Sequence, residues 1–345
     1  MANRLKFFRV KNAKTQTEAA RAAGVTQPTY QRWETGKAPI PESYLKKLAK
    51  FFKTTGPELL GRHPPKEAAF YDDEAPLDLQ YYGECAVHFV GGGDPLVLSI
   101  SEAAFQQADS QLGTDKRFMV IKDLGNRTVA IRQNAIAEFY FSSEAYDTYG
   151  PDHKSYTLGT LVQMPDTRDW QIVDAIRVEA MGAGANDLLE TFSREDVERV
   201  AKEIGITEEQ LKPLIEPITK ESKLVPFSPR TEEILELAAR VTIRFSTGKQ
   251  RDIDYVDCNL FEVIEPLEDT FYDSSSGNSD ELHMIELPYE GYHRTVHLNP
   301  DALDYISFPT HQIEQDETES YADGLTEPEG EGGKVIKLPK AKKKG

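Results

Sequence analysis

The chain has 345 residues, 39% of them hydrophobic, with a formal net charge of −18 and a mean hydropathy of −0.53. That supports two or three packed domains of roughly 100–200 residues, and no apolar run approaches the ~18 residues that would mark a membrane span. Cys85 and Cys258 stand far apart in neither a CxxC nor a zinc spacing, which argues against a disulfide framework and for a reducing cytoplasm.

The opening MANRLKFFRVKNAK lacks the apolar core of a secretory signal. Residues 1–66 carry 14 Lys and Arg against 4 Asp and Glu, and the remaining residues carry 26 against 54. A small cationic module is thus joined to a strongly anionic body, the first suited to a polyanion and the second repelled by one.

In chain order, Leu5, Phe8 and Val10 predict a short helix over about 3–12. Thr15 with Glu18 three residues on reads as a capping box opening a helix over Gln16–Ala23, closed by Gly24. Thr26 is expected to cap the next helix, with Pro28 in its first turn where a missing N–H costs nothing. That helix runs through Trp33 and stops at Gly36, a helical period returns over Glu42–Phe52, and a last turn covers Gly56–Leu60.

Two short helices around Ala23-Gly24-Val25-Thr26 make a helix-turn-helix, with Gly24 supplying the positive φ of the turn. The string TQTEAARAAGVTQPTYQRWETGKAP resembles the core of the Cro/CI-like (XRE) repressors at Thr15-Gln16, Glu18, Ala20, Gly24-Val25-Thr26, Arg32-Trp33-Glu34 and Gly36. The resemblance covers about 60 residues. It implies a lambda-repressor-like all-α domain over 1–62 that binds double-stranded DNA as a homodimer. It places Gln27 where an adenine edge is read, Gln31 and Arg32 on the same exposed face, and Gln16 against phosphate. Thr26, Thr29 and Lys37 complete the implied DNA-contact set, and Arg9 with Glu34 matches a structural ion pair. One departure is that the loop Lys37-Ala38-Pro39-Ile40-Pro41-Glu42 holds one cation and one anion, so fewer phosphate contacts are implied. Lys46, Lys47, Lys50 and Lys53 fit a solvated helix face as well as a DNA-facing one.

Residues 63–79 are Pro-rich and acidic without period, a linker. Beyond it, residues 117–141 resemble residues 282–308. Met119 aligns with Met284, Arg127-Thr128-Val129 with Arg294-Thr295-Val296, Ile136 with Leu303 and Phe141 with Phe308, given two inserted residues. Each copy reads as strand, turn, strand, short turn, strand, and Ala86–Phe89 and Val241–Phe245 supply matching first strands. Two similar small β-rich domains, 80–175 and 238–312, are therefore expected around a helical segment at 183–237, an α+β multidomain chain; chance alternation in strand-rich sequence is the competing account. Within the helical segment, Ser193 to Asp196, Thr207 and Thr231 are read as helix caps, and its exposed acids argue for a spacer or dimerisation bundle rather than a second DNA reader. Residues 312–331 hold eight acids and no base, which predicts disorder. The final KVIKLPKAKKKG, with six Lys, adds attraction to DNA or folds back on the acidic stretch.

No HExxH, P-loop, GxSxG or strand–helix GxGxxG is present, so neither an enzyme nor a cofactor is expected. The run Gly91-Gly92-Gly93-Asp94-Pro95 reads as a hairpin turn, and His293 with His297 as two ordinary histidines rather than a metal pair. The resulting expectation is a cytoplasmic, nucleoid-associated transcription regulator of bacterial or phage type, whose acidic body dimerises and meets a protein partner such as RNA polymerase. The alternative is a phage, defence or antitoxin-like interaction protein, with a toxin as partner, that binds DNA for autoregulation.

Overall fold

The computed structural model describes residues 3–62, 64–69, 72, 74–143, 162–182, 188–216, 225–253, 258–269, 284–288 and 294–324. Among the described residues, those up to 64 group with 189–194 and 315–324 as one compact unit, and residues from 65 to 188 with 195–314 form another. Among the described residues no helix is long and apolar enough to cross a membrane.

The N-terminal part of the first unit is helical: α1 (Leu5–Lys11), α2 (Gln16–Ala23), α3 (Gln27–Glu34), α4 (Glu42–Phe52) and α5 (Gly56–Leu59). Leu5, Ala19, Ala20, Ala23, Tyr30, Trp33, Leu48, Phe52 and Leu59 fill one core. These are the positions that helical periodicity turns to a single side of each short helix. The Arg4 N–H donates to the Leu59 carbonyl at 2.9 Å, closing the unit end to end.

The second unit holds β1 (Tyr81–Phe89), β2 (Leu96–Ser101), α6 (Glu102–Gln111), β3 (Phe118–Lys122), β4 (Arg127–Arg132) and β5 (Ile136–Ser142). The chain continues with α7 (Thr167–Ala180), α8 (Leu188–Thr191), α9 (Arg194–Glu203), α10 (Glu208–Ile215) and α11 (Pro229–Leu237), of which residues 189–194 group with the first unit. Then come β6 (Val241–Phe245), β7 (Gln250–Ile253), α12 (Leu260–Asp269), β8 (Ile285–Pro288), β9 (Thr295–Leu298), β10 (Leu303–Pro309) and α13 (Thr310–Gly324), which belongs to the second unit as far as Glu314. Two β-rich segments thus share one order, two strands, a helix, a hairpin, a 3-10 turn and a last strand. The 3-10 turns (Gln133–Ala135 and Pro300–Ala302) and last strands (β5 and β10) have matching lengths.

The sheets join these segments. Their orders are β2-β1-β5, β3-β4-β10-β6-β7 and β8-β9. The β10 strand pairs β6 on one side and β4 on the other, with Ile306 opposite Ala130 and Phe308 opposite Thr128. The two segments therefore pack as one body, because β4, paired with β3 of its own half on one edge, pairs β10 of the other half on its second edge. One face of the central sheet, through Met119, Ile121, Val129 and Ile131, packs on Cys85, Val87, Leu98, Ile100 and α6. The opposite face, through Phe118, Val120 and Ala130, packs on Leu260, Ile264 and Leu267 of α12 and on Ile285, Leu287 and Leu298 of the β8-β9 hairpin.

Several expectations change. Met119 and Met284 are not equivalent: β3 begins at Phe118 and β8 at Ile285, so the copies align without insertion, and Met284 lies 52% exposed just ahead of its strand. Helices α6 and α12 lie inside the segments read as β-rich. Helix formation also begins earlier than 183, at α7, where the Asp166 carboxylate accepts from the Arg168 N–H and buried Trp170 donates to the Met164 carbonyl at 2.6 Å. Thr231 is not a cap. Ser228 caps α11, and Thr231 sits one turn in, its hydroxyl donating to the Ile204 carbonyl at 3.0 Å. Residues 312–324, expected to be disordered, lie in α13, whose start is anchored by buried Thr310, His311 and Ile313. That burial offsets the ordering cost that acidic composition alone leaves uncompensated. The Lys-rich tail and His293 lie outside the described residues. Thr207 caps α10 in a box with Gln210, and the Gly91–Pro95 turn joins β1 to β2, both as the sequence predicts.

Candidate nucleic-acid interface

The turn between α2 and α3 is made by Gly24 at φ 80°, whose N–H donates to the Ala20 carbonyl at 2.9 Å. Only glycine takes this left-handed geometry without a steric penalty. Upstream, the Thr15 hydroxyl accepts from the Glu18 N–H at 3.1 Å and the Glu18 carboxylate accepts from the Thr15 N–H at 2.9 Å, completing the predicted capping box. At the far end of α2, Lys47 donates to the Ala23 carbonyl at 3.2 Å, a cation at a helix C-terminus. This lysine is exposed and also ties α4 to α2.

Helix α3 buries Tyr30 and Trp33 and exposes Pro28, Gln31 and Arg32, with its C-cap Thr35 also exposed. Thr26 precedes α3 in extended backbone but makes no side-chain cap; its hydroxyl pairs with that of Thr29 at 2.9 Å. Lys37 is exposed after the helix. Gln31, Arg32 and Lys37 are thus presented outward, while Gln27, Gln16 and Thr29 are half-buried at the same edge.

A polar chain runs behind this face. The Gln27 Nε2 donates to the Gln16 Oε1 at 2.7 Å, and the Gln16 Nε2 donates to the Glu34 Oε1 at 3.1 Å. Glu34 accepts two further bonds from Arg9, each 2.9 Å, in a bidentate pair whose side chains are 5% exposed on both partners. The pair predicted as structural is therefore also the anchor of the two glutamines. Burial and the Glu34 charge push the neighbouring Tyr30 phenol well above its ordinary range, so it stays neutral. With its Nε2 held at Gln16, Gln27 keeps its carbonyl oxygen and one amide hydrogen, the complement that an adenine edge requires.

Sequence reasoning missed Asn3. Its side chain accepts from the Leu5 N–H at 3.0 Å and donates to the Trp33 carbonyl at 2.6 Å, fixing α1 against the end of α3. An Asn two residues ahead of an apolar helix was the available signal.

Residues 5–59 match the family model described as Helix-turn-helix. No curated protein and no solved structure matches the chain. The match falls on α1 to α5, the elements just described, and residues 5–59 are a helix-turn-helix domain.

Proposed function

We propose that the chain is a sequence-specific transcriptional regulator, not an enzyme, that binds double-stranded DNA through α3 as a self-associated protein. The reading places it in the cytoplasm, on the nucleoid when DNA-bound. The observation that carries it is the outward presentation of Gln31 and Arg32 beside a Gln27 braced by Gln16, within a module of 14 cations against 4 anions. Gln27 reads adenine, Arg32 a guanine edge, and Gln16 and Lys37 hold the phosphate backbone. Self-association is required because one module of this size covers too little DNA for useful specificity, and paired half-sites add their free energies. The acidic body repels DNA and leaves its surface to a protein partner such as RNA polymerase.

The test is genome-wide occupancy of the full chain against a Gln27→Ala, Arg32→Ala double variant. Discrete peaks lost in the variant support the assignment, and unchanged peaks remove these residues as readers.

A further inference from the structure

Among the described residues, the repeat in the second unit leaves one strand edge at each of its two ends without the partner that its counterpart has. Within the chain, β4 of the first half adds to the outer edge of β10 in the second half. The equivalent of β10 is β5, which pairs β1; the equivalent of β4 is β9, which pairs β8. Among the described residues neither strand carries the second partner that its counterpart has. Nor can the two meet within one chain. The β9 hairpin packs on the Phe118–Val120–Ala130 face of the central sheet, and β5 belongs to the sheet on the Met119–Ile121–Val129 face.

The outer edges of β3, β2 and β7 are guarded. On β3, the Gln111 Oε1 accepts from the Val120 N–H at 3.1 Å and the Gln107 Nε2 donates to the Val120 carbonyl at 3.2 Å. On β2, the Ser99 carbonyl accepts from the Leu124 N–H at 2.8 Å. On β7, Gln250, Arg251 and Asp252 are exposed, the charged edge that discourages pairing. In contrast, β5 reads Ile-Ala-Glu-Phe-Tyr-Phe-Ser, with one charge and high strand propensity.

We propose that β9 of one copy adds to β5 of the next, repeating between chains the β4–β10 pairing made within each chain. This is a head-to-tail contact, so it propagates until it closes into a ring. The smallest closed form is two chains with four repeats. The register follows from the internal pair. Ile306 opposite Ala130 places Phe139 opposite His297 of the next copy, and Ser307 opposite Val129 places Tyr140 opposite Val296. The Thr310 N–H donates to the Asn126 carbonyl at 2.8 Å one step beyond the ladder, which sets its alternation. By that alternation the N–H groups of Phe139 and His297 face the new partner. The proposal gives a specific form to the self-association inferred above and is independent of the DNA reading.

The test uses the full chain and two single variants, Phe139→Pro and His297→Pro, each removing one edge N–H, with circular dichroism to verify folding. Native mass spectrometry should show a closed oligomer for the parent chain and a monomer for each variant. Mixing the two variants should restore a heterodimer, because each supplies the edge that the other lacks. As a second measurement that tolerates a misfolded proline variant, Tyr140→Cys, Val296→Cys in a Cys258→Ser background should cross-link between chains on oxidation. A monomeric parent chain overturns the proposal. So does a His297→Pro variant that still associates, the outcome expected if two β5 strands pair with each other or if residues 144–161 of the same chain cover the edge. DNA affinity measured in parallel separates this result from the regulator reading.

Discussion

The amide of Gln27 is held by Gln16, at 2.7 Å from Nε2 to Oε1, and through Gln16 by Glu34 at 3.1 Å. A residue at the start of the exposed helix is thereby fixed by the ion pair that secures the core. Such bracing removes rotamer freedom before any ligand arrives and lowers the entropy cost of a specific contact.

Gln27→Ala should weaken binding to the preferred duplex by about 1–3 kcal/mol and relax discrimination at one base pair, as a lost bidentate contact does. Gln16→Ala should weaken binding to all sequences more evenly, because its contact is to the backbone, while blurring the Gln27 position. Equilibrium titration against the preferred site and single-substitution duplexes checks both.

Arg9→Ala leaves Glu34 buried without its main partner and should destabilise the first unit by about 3–5 kcal/mol. The double change Arg9→Met, Glu34→Leu should recover most of that stability, since an apolar pair replaces the ions. It should not recover DNA affinity, because Gln16 then lacks its acceptor. Thermal unfolding paired with duplex titration separates the two effects.

Lys37 is the one cation in the loop after α3. Lys37→Ala should lower the slope of log affinity against log salt by about 0.9, one phosphate contact's worth, without altering sequence preference. A change in preference at constant slope would show Lys37 acting on a base instead.

Glu84 is 1% exposed in β1, its Oε2 has no hydrogen-bond partner among the described residues, and Tyr81 donates to its Oε1. Burial pushes its carboxyl up to about 7, against the pull of the Tyr81 hydroxyl. The folded state therefore holds this proton more tightly than the unfolded state does. The stability it contributes is present below the ordinary value of 4.5 and is lost as pH rises through about 7. Glu84→Gln should stabilise the second unit by on the order of 2 kcal/mol near neutral to alkaline pH, with the gain vanishing toward pH ~4.5. Melting temperatures across that range check the sign.

The first unit was legible because its signals are local. Thr15 with Glu18, Gly24 and Gly36 each mark a boundary through the chemistry of one or two adjacent residues, and the structure places α2 to α4 within a residue or so of those marks. The polar chain behind α3 was not legible, since Arg9, Gln16, Gln27 and Glu34 meet only through the fold. In the second unit the repeat was visible in Arg127-Thr128-Val129 and Arg294-Thr295-Val296, yet the pairing of β4 with β10 was hidden. Strand partners far apart in sequence leave no periodicity to read, and an alternation fits either neighbour. Acidic α13 was misread for a related reason: composition reports what a segment cannot bury alone, not what His311 and Ile313 bury against the rest.

The central claim is that a cationic helical module lays α3 against duplex DNA. Its most direct test is the affinity of isolated residues 1–66 for duplex DNA as salt is raised from about 50 to 200 mM. A steep linear fall of log affinity with log salt, together with preference for a site enriched by the full chain, is the predicted result. Absence of duplex binding at the lowest salt, with the module folded, would contradict it.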